Sequence, residues 1–463
     1  MKDNIENERL PDVIHFFNGS SQVKSMRTET DKLGQLELQD YEIYGLQTKR
    51  AVENFNLNNK KTNLHLIYSL VKIKKAAAMT YLNNGADEKG IYTAVVSACD
   101  RILTGEADDQ FITQALQGGA GTSTNMNVNE VIANLALEQS GQPFGAYEKI
   151  HPLDDVNRGQ STNDVYPTAL RITAIETLRQ LSEECARLQE ALQQKENELE
   201  SVRKVGRTEL MDAVAITLGA EFGAYAQAIA RDRWRLYKVE ERLRQVNIGG
   251  TAIGTGTNAD RQYRFGIIEN LRSLTGIGLA VSEYPLDITQ NNDVFVEVSG
   301  LLKALAVNLM KIANDLRLMN SNAIGEIKLK ALQLGSTIMP GKVNPVIPEM
   351  VMQTAMRVMA NDYAISAAAA HGEFELNAFL PLIADSLLES LELLNNSVRL
   401  FREKCIAFIE PNLSRCTLLL DSSHAFAAEY AARLGYETVT RILEQYGGNI
   451  PKAKEVLEEM LKG

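Results

Sequence analysis

Apolar residues recur along this chain at spacings of three, four and seven, so most of it reads as helix. The longest run is Leu178, Leu181, Cys185, Leu188, Leu192, Leu199 and Val202, with Glu, Gln, Arg and Lys between them. At roughly 1.5 Å per residue it predicts an amphipathic helix about 40 Å long or more. A second long helix is expected from about Asp293 to Met319, with Leu301, Leu305, Leu309, Ile312 and Leu316 on one face. Residues Leu66 to Leu103 predict two further helices, divided by the turn Leu82-Asn83-Asn84-Gly85. Helices this long do not bury their stripes within a small globule. They need one another, and neighbouring subunits as well.

The rest of the composition narrows the class. A chain of 463 residues is too long for one compact core. Its net charge of −11, with both signs interspersed, argues against nucleic acid as the main partner. A local cluster of donors can still bind a small anion. Cys99, Cys185, Cys405 and Cys416 lack metal-ligand spacing and are too few for a disulfide framework, which fits a reducing compartment. The first nine residues are charged where a signal peptide turns apolar, and no apolar run reaches membrane-spanning length. The expectation is a cytoplasmic protein, with residues 1–26 as a short helix or a disordered arm.

Candidate chemistry lies where the helical pattern breaks. Gly335-Ser336-Thr337-Ile338-Met339-Pro340-Gly341-Lys342-Val343-Asn344-Pro345 combines glycines that free the backbone with prolines that stiffen it. Such a loop can gather Ser336, Lys342 and Asn344 around an anion. Gly118, Gly119 and Gly121 precede a helix expected from about Asn127 to Gln139, which puts Thr122 and Ser123 just ahead of its positive end. Ser161, Thr162 and Asn163 suit a carboxylate or ammonium ligand, and they also suit a helix N-cap; both roles are compatible. The glycine-rich stretch from Asn247 to Gly256 has neither the dinucleotide pattern nor a Walker lysine.

Four of these segments together resemble one family. Residues 335–344 are very close to the signature loop of the aspartase/fumarase superfamily. Residues 119–130 resemble its first conserved region, residues 206–219 its second, and Gly159-Gln160-Ser161-Thr162-Asn163-Asp164 a further segment, all in the family's order. The resemblance implies an all-α lyase subunit in three segments: residues 1–155, a central long-helix bundle over 156–409, and a small helical domain over 410–463. It also implies a homotetramer with active sites shared between subunits, a small dicarboxylate or amino-acid substrate, and no cofactor or metal. Tyr44-Gly45-Leu46-Gln47-Thr48 resembles a family segment that approaches the active site; from its residues alone it reads as a surface turn before a helix. His151 and Asp154 resemble a secondary anion site of fumarases, although Leu153 replaces a polar residue there.

Removing a proton beside a carboxylate requires donors that stabilise the dianionic aci-carboxylate. The resemblance assigns Thr122, Ser161, Thr162 and Thr337 to that carboxylate, with Asn163 and Thr208 nearby, and Lys342 and Asn344 to the other one. Ser336 matches the catalytic base. Its alkoxide would be stabilised by backbone N–H groups and by Lys342. The run Asn344-Pro345-Val346-Ile347-Pro348-Glu349 is closer to aspartases than to fumarases, so the expected leaving group is an amine. Glu209 stands where the family carries His or Gln, in a position that pairs with the counterpart of Glu349. A carboxylate there repels a substrate carboxylate, which opens the choice of substrate to substituted amines. Fumarate hydration and a catalytically silent structural or binding role are the alternatives.

Overall fold

The computed structural model describes residues 25–87 and 89–462, so the expected arm lies outside the described residues except for its last two. The described chain opens with an antiparallel hairpin, β1 (Met26–Asp31) and β2 (Gly34–Gln39). There follow α1 (Leu46–Asn54), α2 (Leu64–Asn83), α3 (Ile91–Leu103), α4 (Thr122–Gln139) and α5 (Thr162–Glu198). A second hairpin, β3 (Arg203–Thr208) and β4 (Met211–Thr217), leads to α6 (Leu218–Leu243). Next come β5 (Gln245–Val246), α7 (Arg261–Thr275), β6 (Ala280–Val281), α8 (Pro285–Gln290) and α9 (Asp293–Asn320). After β7 (Ile327–Lys328) stand α10 (Val346–Ala369) and α11 (Leu380–Lys404). The chain closes with β8 (Glu410–Pro411), α12 (Leu413–Asp421), α13 (Ala427–Leu434), α14 (Tyr436–Tyr446) and α15 (Ile450–Lys462). The fold is all-α, as the periodicity predicts, with short two-stranded sheets at the connections. No described helix is long and apolar enough to cross a membrane.

The longest element, α5, has 37 residues and begins well before its apolar stripe. Pro167 lies inside it and supplies no N–H to the carbonyl of Asn163. Asn247 takes that place, its Nδ2 donating to Asn163 O at 2.9 Å. A side chain from the glycine-rich turn thus repairs the helix where proline breaks the ladder. The helix continues without a stop.

Side-chain bonds fix the direction of the other long helices. α6 turns back beside α5, with Gly219 N bonded to Leu199 O at one end and Asn247 to Asn163 at the other. α9 runs antiparallel to α6, joined by Tyr225–Asp315 and Asn308–Asp232 bonds. α10 reverses again, Ser299 binding Asp362 near one end and Arg317 facing Glu349 near the other. α11 runs parallel to α5, linked by Asn395 to Thr177 and by Arg402 to Glu184. The bundle therefore has two ends. The lower end holds the start of α5 and the turns after α6 and α10; the upper end holds the β3–β4 hairpin, the loop between α9 and α10, and the close of α11.

One continuous apolar core joins α2–α7 and α9–α11, while Tyr430, Val439, Ile442, Ala453 and Leu457 form a separate small cluster among α13–α15. All four cysteines are free and buried. Two local expectations change. α4 starts at Thr122, five residues earlier than expected, because Gly121 (φ +92°) caps it and the following polar residues are buried rather than exposed. A Cβ on Gly121 would lie 2.4 Å from the Tyr166 ring, so the start of α4 seats directly on α5. The segment from Tyr44 to Thr48 is no surface turn. The buried Glu130 carboxylate on α4 accepts from Gly45 N, Gln47 N, Thr48 N and Thr48 Oγ1 and anchors it.

Candidate active site

At the lower end, the N-cap role expected among Ser161, Thr162 and Asn163 falls to Ser161 and takes the form of a capping box. Ser161 Oγ accepts from Asn163 N at 3.2 Å, and Asp164 Oδ1 accepts from Ser161 N at 3.0 Å. Ser161 keeps its own O–H free to donate, so capping and ligand binding are compatible. Asp164 is buried, and its Oδ2 accepts from Gly249 N and Thr251 N, both at 3.0 Å. Burial pushes its carboxyl up to about 6, against those backbone donors and the positive charge of Lys74. Asn163 Nδ2 donates to Ala252 O at 2.7 Å. These bonds draw the glycine-rich turn over the start of α5.

The starts of α4 and α5 meet here, since Asn125 Nδ2 donates to Thr162 Oγ1 at 3.2 Å. Thr122 is exposed one turn away, its hydroxyl donating to Gly119 O at 2.7 Å. Two helix N-termini with free N–H groups thus stand beside Thr122, Ser161 and Thr162, a setting that favours a carboxylate. His151 Nδ1 accepts from Leu153 N and Asp154 N and serves as the cap of a short turn of helix, Pro152–Val156.

The upper end holds the remaining predicted residues. Ser336 Oγ accepts from Ile338 N at 3.1 Å and from Met339 N at 2.8 Å. No histidine or carboxylate among the described residues bonds to it. The loop closes on itself through Gly335 N to Lys342 O at 2.8 Å and Asn344 Nδ2 to Gly335 O at 2.9 Å. A Cβ on Gly335 would lie 2.6 Å from Lys342 O, so this closure requires glycine. Lys342, Asn344 and Glu349 line a cleft of 690 Å³ with Asn314, Arg317 and Asn320. Arg317 lies 4.0 Å from Glu349. Thr337 is exposed on the same loop.

Thr208 ends β3, and Glu209 and Leu210 form the two-residue turn of the hairpin at φ +56° and +66°. Side chains pay a steric penalty in that region, where Asn-Gly is the usual choice. The hairpin is tied to the approach of the Ser336 loop by the buried Glu326, which lies 2.9 Å from Arg207 and 3.2 Å from Lys204. Glu209 is exposed at the tip, and no hydrogen bond or ion pair among the described residues joins it to Glu349.

The two groups of residues are far apart. Thr162 opens α5 and Thr208 follows its far end, so about 55 Å of helix separates them. Within one chain, Thr122, Ser161, Thr162 and Asn163 cannot reach Ser336, Lys342 or Glu349.

The family model described as "Lyase" matches residues 34–360. The chain belongs to the aspartase/fumarase superfamily of lyases. Among curated relatives, it is 43% identical to the aspartate ammonia-lyase of Bacillus sp over 91% of this chain and 90% of that one. It is 44% identical to that of Pseudomonas fluorescens over 91% and 90%. Among solved structures, a fumarate lyase:delta crystallin from Brucella melitensis bound to cobalt superposes with a TM-score of 0.90 at 42% identity, covering 95% of this chain and 98% of that one. A class II fumarase from Schistosoma mansoni gives 0.89 at 30% identity, over 94% and 96%. The superfamily member described here is a carbon–nitrogen lyase by these relations.

Several residues around the site escape a motif-based reading. Lys74, Asn125 and Asn157 lie beneath Thr162, and Arg317 and Glu326 stand behind the upper loop. Lys74 carries a signal in the sequence. It sits in helical register with Leu70, Val71, Ala77 and Ala78, a lysine on the apolar stripe of α2.

Proposed function

We propose that this lyase eliminates ammonia from L-aspartate to give fumarate, in a homotetramer whose active sites join the lower end of one subunit to the upper ends of others. The observation that carries this reading is the pair of backbone N–H groups on Ser336 Oγ. Two donors aimed at a hydroxyl oxygen stabilise its alkoxide and turn a poor base into a usable one. Ser336 then takes the proton from the carbon beside one carboxylate. The electron pair left behind moves into that carboxylate, whose aci form Ser161, Thr162 and Thr337 stabilise by donation, joined by Thr122 once its hydroxyl turns from Gly119 O. Collapse of the aci-carboxylate forms the C=C bond and breaks the C–N bond, and the amine leaves with the bonding pair. Lys342 and Asn344 hold the second carboxylate, with Asn163 and Thr208 at the margins of the site.

The separation of the two ends supports assembly, and so do the exposed apolar side chains. Leu210, Met211, Leu334 and Ile338 at the upper end, and Trp234, Tyr237, Val307 and Tyr363 on the long helices, are exposed in the single chain. The curated relatives named aspartate ammonia-lyase support the choice of substrate. The four buried thiols fit a cytoplasmic enzyme. A second reading, a substrate whose amine carries a cationic substituent, is favoured by one observation: the exposed carboxylate of Glu209 at the hairpin tip.

Fumarate formation, followed by ultraviolet absorbance, tests both readings with L-aspartate, malate and N-substituted aspartates. Product from L-aspartate is expected. Product from malate alone overturns the amine-leaving reading, and full activity in a monomer measured by light scattering overturns the shared site.

A further inference from the structure

Beneath the lower-end donors lies a polar chain that the reaction above does not use. Lys74 on α2 is fully buried, and its Nζ donates to Asn157 Oδ1 at 2.7 Å. The same oxygen accepts from Asn125 Nδ2 at 3.2 Å. Asn125 Nδ2 also donates to Thr162 Oγ1 at 3.2 Å. No carboxylate lies within ion-pair distance of Lys74 among the described residues. A buried lysine is rare without such a pair, so its retention here asks for a role.

Donor and acceptor capacities give that chain a direction. Lys74 Nζ donates to Asn157, and the other amide atom, Asn157 Nδ2, donates to Gln160 O at 3.3 Å, so the atom facing Lys74 is the carbonyl oxygen. An oxygen at that point obliges Asn125 to present its NH2 edge, and the same edge meets Thr162. Thr162 Oγ1 then acts as acceptor on its inner side, and its single O–H is left to donate outward. Were the inner partner an acceptor, the hydroxyl would turn inward and show lone pairs to an incoming carboxylate.

We propose that Lys74 is a positioning residue which, through Asn157 and Asn125, fixes the Thr162 hydroxyl as a donor toward the substrate carboxylate. The inference rests on the reading of Thr162 as a substrate donor. Burial pushes the Lys74 amine down to about 7, while Asp164 and, less strongly, Cys99 favour its charged form. Burying an amine in that setting costs the fold stability.

Lys74→Met tests this at nearly constant volume. It is expected to lower kcat on the order of 100-fold, as loss of one donor to a developing oxyanion does. The melting temperature should stay level or rise, because a buried charge is gone. In a Thr162→Val background, Lys74→Met should cost no further activity, since its effect passes through that hydroxyl. Asn125→Asp replaces the donor with an acceptor and should reproduce the loss; it decides the matter alone if Lys74→Met does not fold. Full additivity of Lys74→Met with Thr162→Val, or wild-type kcat in Asn125→Asp, overturns the relay and leaves the role of Thr162 intact. Unchanged kinetics in Thr162→Val itself would overturn instead the site reading on which the relay rests.

Discussion

At the lower end of the bundle Thr162 is 8% exposed and Asp164 0%, and their distant partners come from two separate parts of the chain, α4 and the glycine-rich turn. At the upper end Leu334 and Ile338 are 88% and 84% exposed, and the loop carrying Ser336 is closed by bonds to its own atoms. The first end is built before any ligand or neighbour arrives. The second holds a competent local geometry on a loop that the rest of its own chain barely covers. Stabilising an aci-carboxylate demands donors that do not reorganise, so rigidity belongs with Thr162. The base has to meet a substrate bound on another subunit, and a projecting loop suits that task.

The largest expected effect separates the ends by chemistry. Ser336→Ala should lower kcat by about a thousandfold or more, in the range for loss of a general base, while dicarboxylates still bind. Turnover followed by ultraviolet absorbance and binding followed by calorimetry check the two halves of that statement. A near wild-type kcat would remove Ser336 as the base.

Mixing variants then tests whether the ends of different chains work together. Ser336→Ala and Thr162→Val lie at opposite ends of α5, and each alone should be nearly inactive. Subunit exchange between them should restore roughly a quarter of the sites, the fraction in which both contributing chains are intact after random mixing in a symmetric oligomer. No recovery after exchange proven by mass spectrometry would mean that one chain supplies both residues, against the length of α5.

How much of this could be read beforehand differs between the ends. The long helices were legible, because their stripes repeat with the helical period. The start of α5 was not, since Pro167 signals a break and only a distant residue, Asn247, mends it. The start of α4 is not legible because its first turns are polar, yet from Thr124 onward they are buried. The β3–β4 hairpin was hidden by a turn, Glu209-Leu210, that carries no Gly, Asn or Asp. The motifs are legible as motifs, but spacing along a chain does not reveal that a helix about 55 Å long keeps half of their residues from the other half. Lys74 was visible as a misplaced charge on an apolar stripe. Its connection to Thr162 required coordinates.

Stability sharpens the contrast with a matched pair of substitutions. Asn247 and Asn344 each donate from Nδ2 to a backbone carbonyl, of Asn163 and Gly335 respectively. Asn247 is fully buried, and Asn247→Leu strands the Asn163 carbonyl that Pro167 already leaves without its helical partner. The expected loss is about 1–3 kcal/mol. Asn344→Leu frees a carbonyl that water can reach, and should cost about 0.5 kcal/mol or less. Denaturant melts monitored by circular dichroism measure both. Equal losses would show that the upper loop is as firmly held as the lower turn.

The smallest effect concerns Glu209, the one substitution at a position where relatives of this fold are expected to carry His or Gln. Its carboxylate is exposed at the upper tip, and in the proposed assembly it approaches the α-carboxylate of the substrate. Two like charges about 4 Å apart in a hydrated site repel by about 1 kcal/mol, and more as water is excluded. Glu209→Gln removes that repulsion at nearly constant shape, so kcat/KM for L-aspartate should rise about fivefold. With an aspartate whose amine bears a cationic substituent, the same change should lower kcat/KM by a similar factor. An unaltered substrate profile would remove Glu209 from the site altogether. The upper end would then select its substrate through Lys342 and Asn344 alone, and the exposed carboxylate would be an accident of the turn.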